Sequence, residues 1–364
     1  MPNQMQKLNM SEDEKYMYRC LQLALNGKRY VAPNPMVGAV IVHNGKIIGE
    51  GFHQHYGEAH AEVHAINSVE DKTLLKVSTI YVSLEPCSHH GKTPPCAQLI
   101  IDSKIPKVVI AMTDPYHKVA GRGVKMLQDA GIEVVIGVLE KEAVELNKEF
   151  ITAQTDNRPY IYLKWAQTND GFIDKKRQEG ESIQPTPISN NLTKILVHKI
   201  RSEVSAILIA TNTAINDNPS LTTRLWFGKN PKRIILDRNA RIPKHYVLYD
   251  NNVETLFFTE KVDNEVLKNK TSFVPLTFDK AMIPSLLKNL NSRRINSLLV
   301  EGGASLLQSF IDIGAWDEAY IETANICFAD GVKAPNIQAR IINTQRIGDS
   351  QTLHLKSIDN YKIL

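Results

Sequence analysis

Three short pieces of this chain restrict it more than anything else in it: His60-Ala61-Glu62, Pro86-Cys87 and Cys96. One imidazole and two thiolates form a three-ligand set for a tetrahedral zinc and leave its fourth position open. A structural zinc needs a fourth protein ligand, whereas a hydrolytic zinc needs a water and a group that moves its protons. Glu62 is the candidate for that group. Two thiolates and a neutral imidazole cancel the charge of Zn²⁺, and the metal still lowers the pKa of its water from about 15.7 to about 7.

Local signals agree with this set. Thr93-Pro94-Pro95 predicts a helix opening near Cys96, with threonine as its cap. A thiol at a helix N-terminus ionises more easily. Residues two apart on a regular helix point in nearly opposite directions. The sequence therefore predicts His60 at the lip of a helix and Glu62 in its first turn. His89 and His90 are rival ligands in the same loop, and the cysteines are preferred because thiolates suit zinc. Taken singly, a His-x-Glu or two cysteines nine apart is ordinary. In this order, with proline before the first cysteine, they match the signature of zinc deaminases.

At 364 residues the chain has room for two domains. No run approaches the roughly eighteen apolar residues of a membrane span, and residues 1–10 lack the apolar core of a signal peptide. The four cysteines, Cys20, Cys87, Cys96 and Cys327, are too sparse for a disulfide framework once two serve zinc, which points to the cytoplasm. A net charge of +4 suits a phosphorylated small molecule and is too weak for a nucleic-acid partner.

A capping box at Ser11-Glu12-Asp13-Glu14 opens a helix to about Asn26. Asn44-Gly45 joins strands over 38–42 and 46–51 as a hairpin. Strand-like runs at 79–84, 108–112 and 133–136 alternate with helical stretches at 96–103 and 123–130, which is the pattern of a layered α/β domain. The polar segment 152–158 is read as a linker, giving domains at 1–152 and 158–364. In the second half, strands at 160–166, 206–210, 233–237 and 298–300 and a helix at 192–203 form a second alternation. Val300-Glu301-Gly302-Gly303-Ala304 follows a strand and precedes a helical run, so its N–H groups can approach an anion, although paired glycines are more often simply a turn. The absence of Gly-x-Gly-x-x-Gly disfavours a standard Rossmann domain. Residues 217–224 read as a loop ending in an arginine suited to phosphate, though by themselves they favour a plain Asn-Pro turn.

Ala32-Pro33-Asn34-Pro35-Met36-Val37-Gly38, His60-Ala61-Glu62 and the stretch from Glu85-Pro86-Cys87 to Cys96 closely resemble the bifunctional deaminase/reductase family of riboflavin biosynthesis. Lys164-Trp165-Ala166, Asp170-Gly171, Arg201, residues 217–224, Arg233, Asp237 and Glu301-Gly302-Gly303 resemble its reductase half. The resemblance implies a cytidine-deaminase-like α/β/α sandwich followed by a dihydrofolate-reductase-like α/β domain. It implies zinc-dependent hydrolysis of the 2-amino group of 2,5-diamino-6-ribosylamino-4(3H)-pyrimidinone 5′-phosphate, then NADPH-dependent reduction of the ribosyl group to ribityl. In that picture His60, Cys87 and Cys96 hold Zn²⁺ and Glu62 moves protons. Asn34, His89 and Lys92 hold the first substrate. Arg201, Arg224 and Leu221 bind the second, with Arg201 and Arg224 on its phosphate. Glu301 faces that substrate, Thr213 and Asp217 contact NADPH, and Gly302 and Gly303 meet the cofactor phosphates. Asp217 also acts on the opening ribose. A homo-oligomer, dimer or tetramer, is implied as well.

The chain departs from the family in three places. Ala210-Thr211-Asn212-Thr213 stands for the frequent glycine-x-glycine-threonine, Pro187-Ile188-Ser189 for tryptophan-isoleucine-threonine, and Asp217-Asn218-Pro219 for Asp-Asp-Pro. Two other readings compete. A deaminase acting on another nucleotide or on nucleic acid, with a non-catalytic second domain, would call for a basic aromatic-lined channel, and no dense Lys/Arg run surrounds the motif. A structural zinc beside a nucleotide-sensing module would make Glu62 idle.

Overall fold

The computed structural model describes residues 10–88, 94–116, 120–176, 186–261 and 270–358. Contacts divide the chain into Met1–Thr155 and Asp156–Leu364.

In the first unit, helix α1 (Glu12–Ala24) opens on the capping box read from the sequence, with Ser11 and Glu14 bonded reciprocally. Strands β1 (Gly38–His43) and β2 (Lys46–Phe52) form the hairpin. Its turn residues Asn44 and Gly45 both have positive φ, as the tight turn between twisted strands requires. Helix α2 (Ala61–Ser68), β3 (Thr79–Val82), α3 (Cys96–Asp102), β4 (Lys107–Ile110), α4 (Arg122–Asp129), β5 (Glu133–Ile136), α5 (Glu140–Leu146) and α6 (Lys148–Thr155) follow. The strands lie in the order β2-β1-β3-β4-β5, with β3, β4 and β5 parallel.

Period-two alternation sorts the strand residues between two cores. Ile41, Ile80, Val82, Val108 and Ile110 pack under α2, α3 and α4 through Ala65, Ile100 and Leu127. Val40, Val42, Tyr81 and Val109 meet Met17, Leu21 and Ala143 of α1 and α5 on the opposite face. The result is an α/β/α sandwich. The segment read as a polar linker is helical over its first four residues, because α6 runs to Thr155. Thr152 and Ala153 are buried, so packing overrides the polar composition there.

The second unit is built on β6 (Tyr160–Thr168), β7 (Phe172–Asp174), α7 (Asn191–Glu203), β8 (Ala206–Ala210), α8 (Thr211–Asp217), β9 (Lys232–Leu236), β10 (Thr255–Thr259), β11 (Thr271–Pro275), α9 (Met282–Ser292), β12 (Ser297–Glu301), α10 (Ala304–Asp312), β13 (Glu318–Ala324), β14 (Val332–Lys333), β15 (Arg340–Ile347) and β16 (Ser350–Lys356). Nine of these strands form one sheet, ordered β11-β10-β9-β8-β12-β6-β13-β16-β15. Pairing is parallel from β11 through β13, and β16 and β15 close the edge antiparallel. One face buries Leu286, Leu287, Leu307 and Phe310 of α9 and α10, and the other buries Ala214 and Ile235. Asp217, read as a loop residue, is the last residue of α8, and Asn218 caps that helix in the left-handed region.

Gly38 shows how tightly the first unit closes. A methyl group there would lie 2.0 Å from the Cys20 carbonyl oxygen of α1. Gly38→Ala is expected to cost about 1–3 kcal/mol of stability. An unchanged denaturant midpoint would contradict this packing.

Candidate functional site

Two helix starts bring the three metal-ligand candidates together. His60 is the N-cap of α2, with extended backbone at φ −76° and ψ 167°, and Glu62 lies in the first turn. Cys96 is the first residue of α3, whose cap is Pro95, with no side-chain bond in that role; Thr93, read as the cap, lies outside the described residues. His60 Nδ1 stands 3.2 Å from Cys96 Sγ and 3.7 Å from Cys87 Sγ, and all three ligand atoms fall within 4.8 Å of one another. Tetrahedral zinc with Zn–N near 2.05 Å and Zn–S near 2.3 Å separates such atoms by about 3.6 Å, so the donor set fits that metal. The Cys96 N–H donates to Cys87 Sγ at 3.3 Å.

The electrostatics of the trio are those of a site built for a cation. The hydrogen bond from Cys96 and then the one from His60 pull the Cys87 thiol down to about 4, against its burial. The same bond to Cys87, with burial, pushes Cys96 up. A thiol lowered at Cys87 beside one raised at Cys96 makes a donor pair suited to a cation. Glu62 is 3% exposed. Burial, partly offset by His60, raises its carboxyl to about 7. Its Oε2 is buried with no hydrogen-bond partner. An orphaned carboxylate oxygen beside a three-ligand cluster is what a proton-transfer group looks like before its water and substrate arrive.

Around the trio, Asn34 Nδ2 lies 3.2 Å from His53 Nε2, and His53 Nδ1 is 3.0 Å from the Ala59 carbonyl. A carbonyl only accepts, so Nδ1 carries the proton and Nε2 accepts from the Asn34 amide. His89 and Lys92 lie outside the described residues. Glu85 precedes the Pro86-Cys87 motif and is 6% exposed. Its buried carboxylate accepts four backbone N–H bonds, from Asp114, Gly121, Gly123 and Val124, and so pins the Pro86-Cys87 turn against the start of α4. A glutamate directly before Pro-Cys was the only available signal.

In the second unit a cavity of about 1040 Å³ lies over the carboxyl ends of β6, β8 and β12. Among the residues lining it are Thr213, Asp217, Arg224, Glu301, Gly302 and Gly303. Arg201 also lines it, but its fork is committed: Nε and Nη2 donate to the two Glu301 oxygens at 3.0 and 2.6 Å. Two residues assigned separately to substrate are therefore one buried ion pair, because a buried guanidinium needs a carboxylate. Leu221 does not line the cavity. Leu221 has φ +51°, and its side chain is buried beside Ile207 and Ile235. Arg224 is exposed and donates to Ser220 Oγ.

Gly302 has φ +120°, and a methyl group there would come 2.9 Å from Thr213 Oγ1. Gly303 N donates to the same hydroxyl at 3.0 Å, and no side chain caps the first turn of α10. The Gly303 N–H is thus taken by Thr213, and the uncapped start of α10 just beyond it is the part of the turn suited to an anion. Arg233 and Asp237 are structural. Fully buried Arg233 holds the Ser220 carbonyl and Asp250, and Asp237 ties Thr211 to the N–H of Ile242. Lys164 opens the Lys-Trp-Ala motif of β6. Its ammonium lines the cavity near Glu301 and Glu322, and burial lowers its pKa. A lysine inside an otherwise apolar strand was the readable signal.

The first unit thus has the architecture and metal-ligand set of a zinc deaminase, and the second a parallel-sheet domain with a dinucleotide-sized cavity. Residues 10–112 match the family model for the cytidine and deoxycytidylate deaminase zinc-binding region, and 159–328 match the RibD C-terminal domain. The riboflavin biosynthesis protein RibD of Aquifex aeolicus is 39% identical over 351 residues, covering 96% of this chain and 95% of that one. The RibD of Bacillus amyloliquefaciens is 40% identical over 332 residues, covering 89% and 87%. A Thermotoga maritima crystal structure, described as a diaminohydroxyphosphoribosylaminopyrimidine deaminase/5-amino-6-(5-phosphoribosylamino)uracil reductase, superposes with TM-score 0.83 at 37% identity, covering 95% of this chain and 99% of that one. Acinetobacter baumannii RibD superposes with TM-score 0.86 at 31% identity, covering 96% and 99%. The chain belongs to the RibD family of riboflavin biosynthesis proteins.

The buried Glu62 has a measurable consequence in metal-free protein. Unfolded, its carboxyl titrates near 4.5; folded, near 7. Between those values the folded state binds more protons, so stability is full at low pH and falls as pH rises through about 7. Denaturant midpoints of zinc-free protein should show this slope and Glu62→Gln should flatten it; equal slopes in both proteins would contradict the assignment.

Proposed function

We infer that the chain catalyses two consecutive steps of riboflavin synthesis. The first is zinc-dependent hydrolytic deamination of 2,5-diamino-6-ribosylamino-4(3H)-pyrimidinone 5′-phosphate. The second is NADPH-dependent reduction of the ribosyl group to ribityl, giving 5-amino-6-ribitylamino-uracil 5′-phosphate. The observation that carries this reading is the orphaned Glu62 Oε2 beside a cluster that, among the described residues, holds three protein ligands and no fourth.

His60, Cys87 and Cys96 hold the zinc, which when bound supplies a water of lowered pKa. Glu62 accepts the proton that water gives up, passes it to the ring nitrogen, and helps the amino group leave as ammonia. A carboxyl poised near 7 suits both directions of that transfer. Asn34, His89 and Lys92 hold the pyrimidine and its ribose phosphate.

NADPH supplies the hydride of the second step. Gly302, Gly303 and Thr213 cradle the cofactor, and Asp217 contacts it and orients the opening ribose. Arg224 binds the substrate phosphate, and Arg201 acts with Glu301 as one unit beside it. Lys164 is placed to hold the sugar carbonyl oxygen as charge builds on it.

We assign the deaminase to 1–152 and the reductase to 158–364, which the division of contacts after Thr155 supports. Cysteines that are all free support a cytoplasmic location. No helix among the described residues is long and apolar enough to cross a membrane. A homo-oligomer, dimer or tetramer, is supported by edge strand β15, which is exposed along nearly its whole length, including Ile341 and Ile342.

Purified protein incubated with the diaminopyrimidine nucleotide, with and without NADPH, should release ammonia in both cases and consume NADPH in the second. Glu62→Gln should keep its zinc and lose ammonia release by about 10²–10⁴-fold, and chelation should abolish the same step. Asp217→Ala and Arg224→Ala should suppress NADPH oxidation while deamination continues. Unchanged ammonia release from zinc-loaded Glu62→Gln would refute the deaminase mechanism, and unchanged NADPH oxidation would refute the reductase assignments.

A further inference from the structure

His198 sits on α7 one turn before Arg201 and lines the reductase cavity. It is 4% exposed, and its Nδ1 is buried with no hydrogen-bond partner. The ring does bond to the Thr222 backbone, so Nε2 is the atom that donates, to a carbonyl that also receives Arg201 Nη1 at 3.4 Å. With its one proton on Nε2, the neutral ring presents a lone pair at Nδ1.

The ring stays neutral. Burial first, then Arg201 and Arg224, lower its pKa to about 4, with Glu301 opposing them. Its neighbours explain what the lone pair is for. Arg201, Arg224 and Lys164 offer only donors, and both oxygens of Glu301 are taken by Arg201. A phosphate needs donors alone, but a sugar hydroxyl must also give its proton to an acceptor. Leaving a buried acceptor unmatched is costly, and here the missing partner is a hydroxyl.

We propose that His198 Nδ1 accepts a hydrogen bond from a hydroxyl of the phosphorylated sugar chain, which makes His198 a substrate-binding residue of the reductase. This rests on the reductase reading above. The ring separates sugar phosphates from phosphate alone: the arginines read charge, and the imidazole reads a hydroxyl beside it.

Three variants of the full-length protein test this. His198→Phe removes both nitrogens. His198→Gln reaches the position of Nε2 and leaves that of Nδ1 empty. His198→Asn places an amide oxygen near Nδ1. Phe and Gln should raise KM for the ribosylamino substrate about tenfold, with a smaller change in kcat, and Asn should restore most of the loss. Ribose 5-phosphate, as a competing ligand, should weaken by the same factor in Phe and Gln. Inorganic phosphate and the NADPH dissociation constant should not move, and the latter also reports that each variant is folded. An unchanged KM in Phe and Gln overturns the proposal, as does equal weakening of inorganic phosphate and ribose 5-phosphate. If the wild-type protein itself fails to oxidise NADPH with this substrate, the reductase reading falls instead.

Discussion

Two sulfurs and an imidazole nitrogen lie within 4.8 Å of one another, and as thiolates and a neutral ring they call for a cation among them. The first unit is arranged around that requirement. Helix α2 starts at His60 and α3 starts at Cys96, so two backbone termini deliver two ligands. The third, Cys87, hangs on a turn held by the four backbone bonds to Glu85. Starting α2 at His60 also resolves the spacing of His60 and Glu62. The histidine backbone is extended and the glutamate's is helical, so side chains two residues apart can face one ligand position.

The second unit spends its buried charges differently. Arg158 is fixed to Asp317, Arg201 to Glu301 and Arg233 to Asp250. Each pair removes a charge from chemistry and uses it to hold strand ends and loops in place. Glu318 and Glu322 are likewise buried, satisfied by Tyr160, His354, Thr193 and Ser350. What remains for a ligand at the cavity includes the Lys164 ammonium and the exposed Arg224, with Lys175 and Lys194 also on its wall. The arginines of the reductase motifs thus divide into those that shape the pocket and those that can grip what enters it.

Elements with a strong local cause were legible. The capping box, the Asn-Gly hairpin and the strands at β3, β4, β5, β8 and β12 each carry their own signal in a few residues. The zinc set was legible because its chemistry demands particular residue types in order. Other elements were not. Strand β13 reads Glu-Ala-Tyr-Ile-Glu-Thr-Ala, a polar string whose two glutamates are buried only because partners distant in sequence donate to them. Strands β15 and β16 carry Asn, Thr, Gln and Arg and acquire strand character by pairing with each other and with β13. The burial of Leu221 at positive φ is likewise set by packing that no neighbouring residue announces.

By itself the sequence determined the candidate metal ligands, the candidate proton-transfer carboxyl, the alternation of strands and helices in both halves, and the glycine turn behind β12. These follow from local propensity and from the chemistry that one metal or one anion requires. Tertiary structure alone decided which charged side chains remain available. Arg201 is paired, Lys164 is not committed to a hydrogen bond, and His198 keeps a lone pair without a donor. Pairing of buried charges depends on distances between residues 100 to 159 positions apart in the Arg201–Glu301 and Arg158–Asp317 pairs, and no local pattern records those distances.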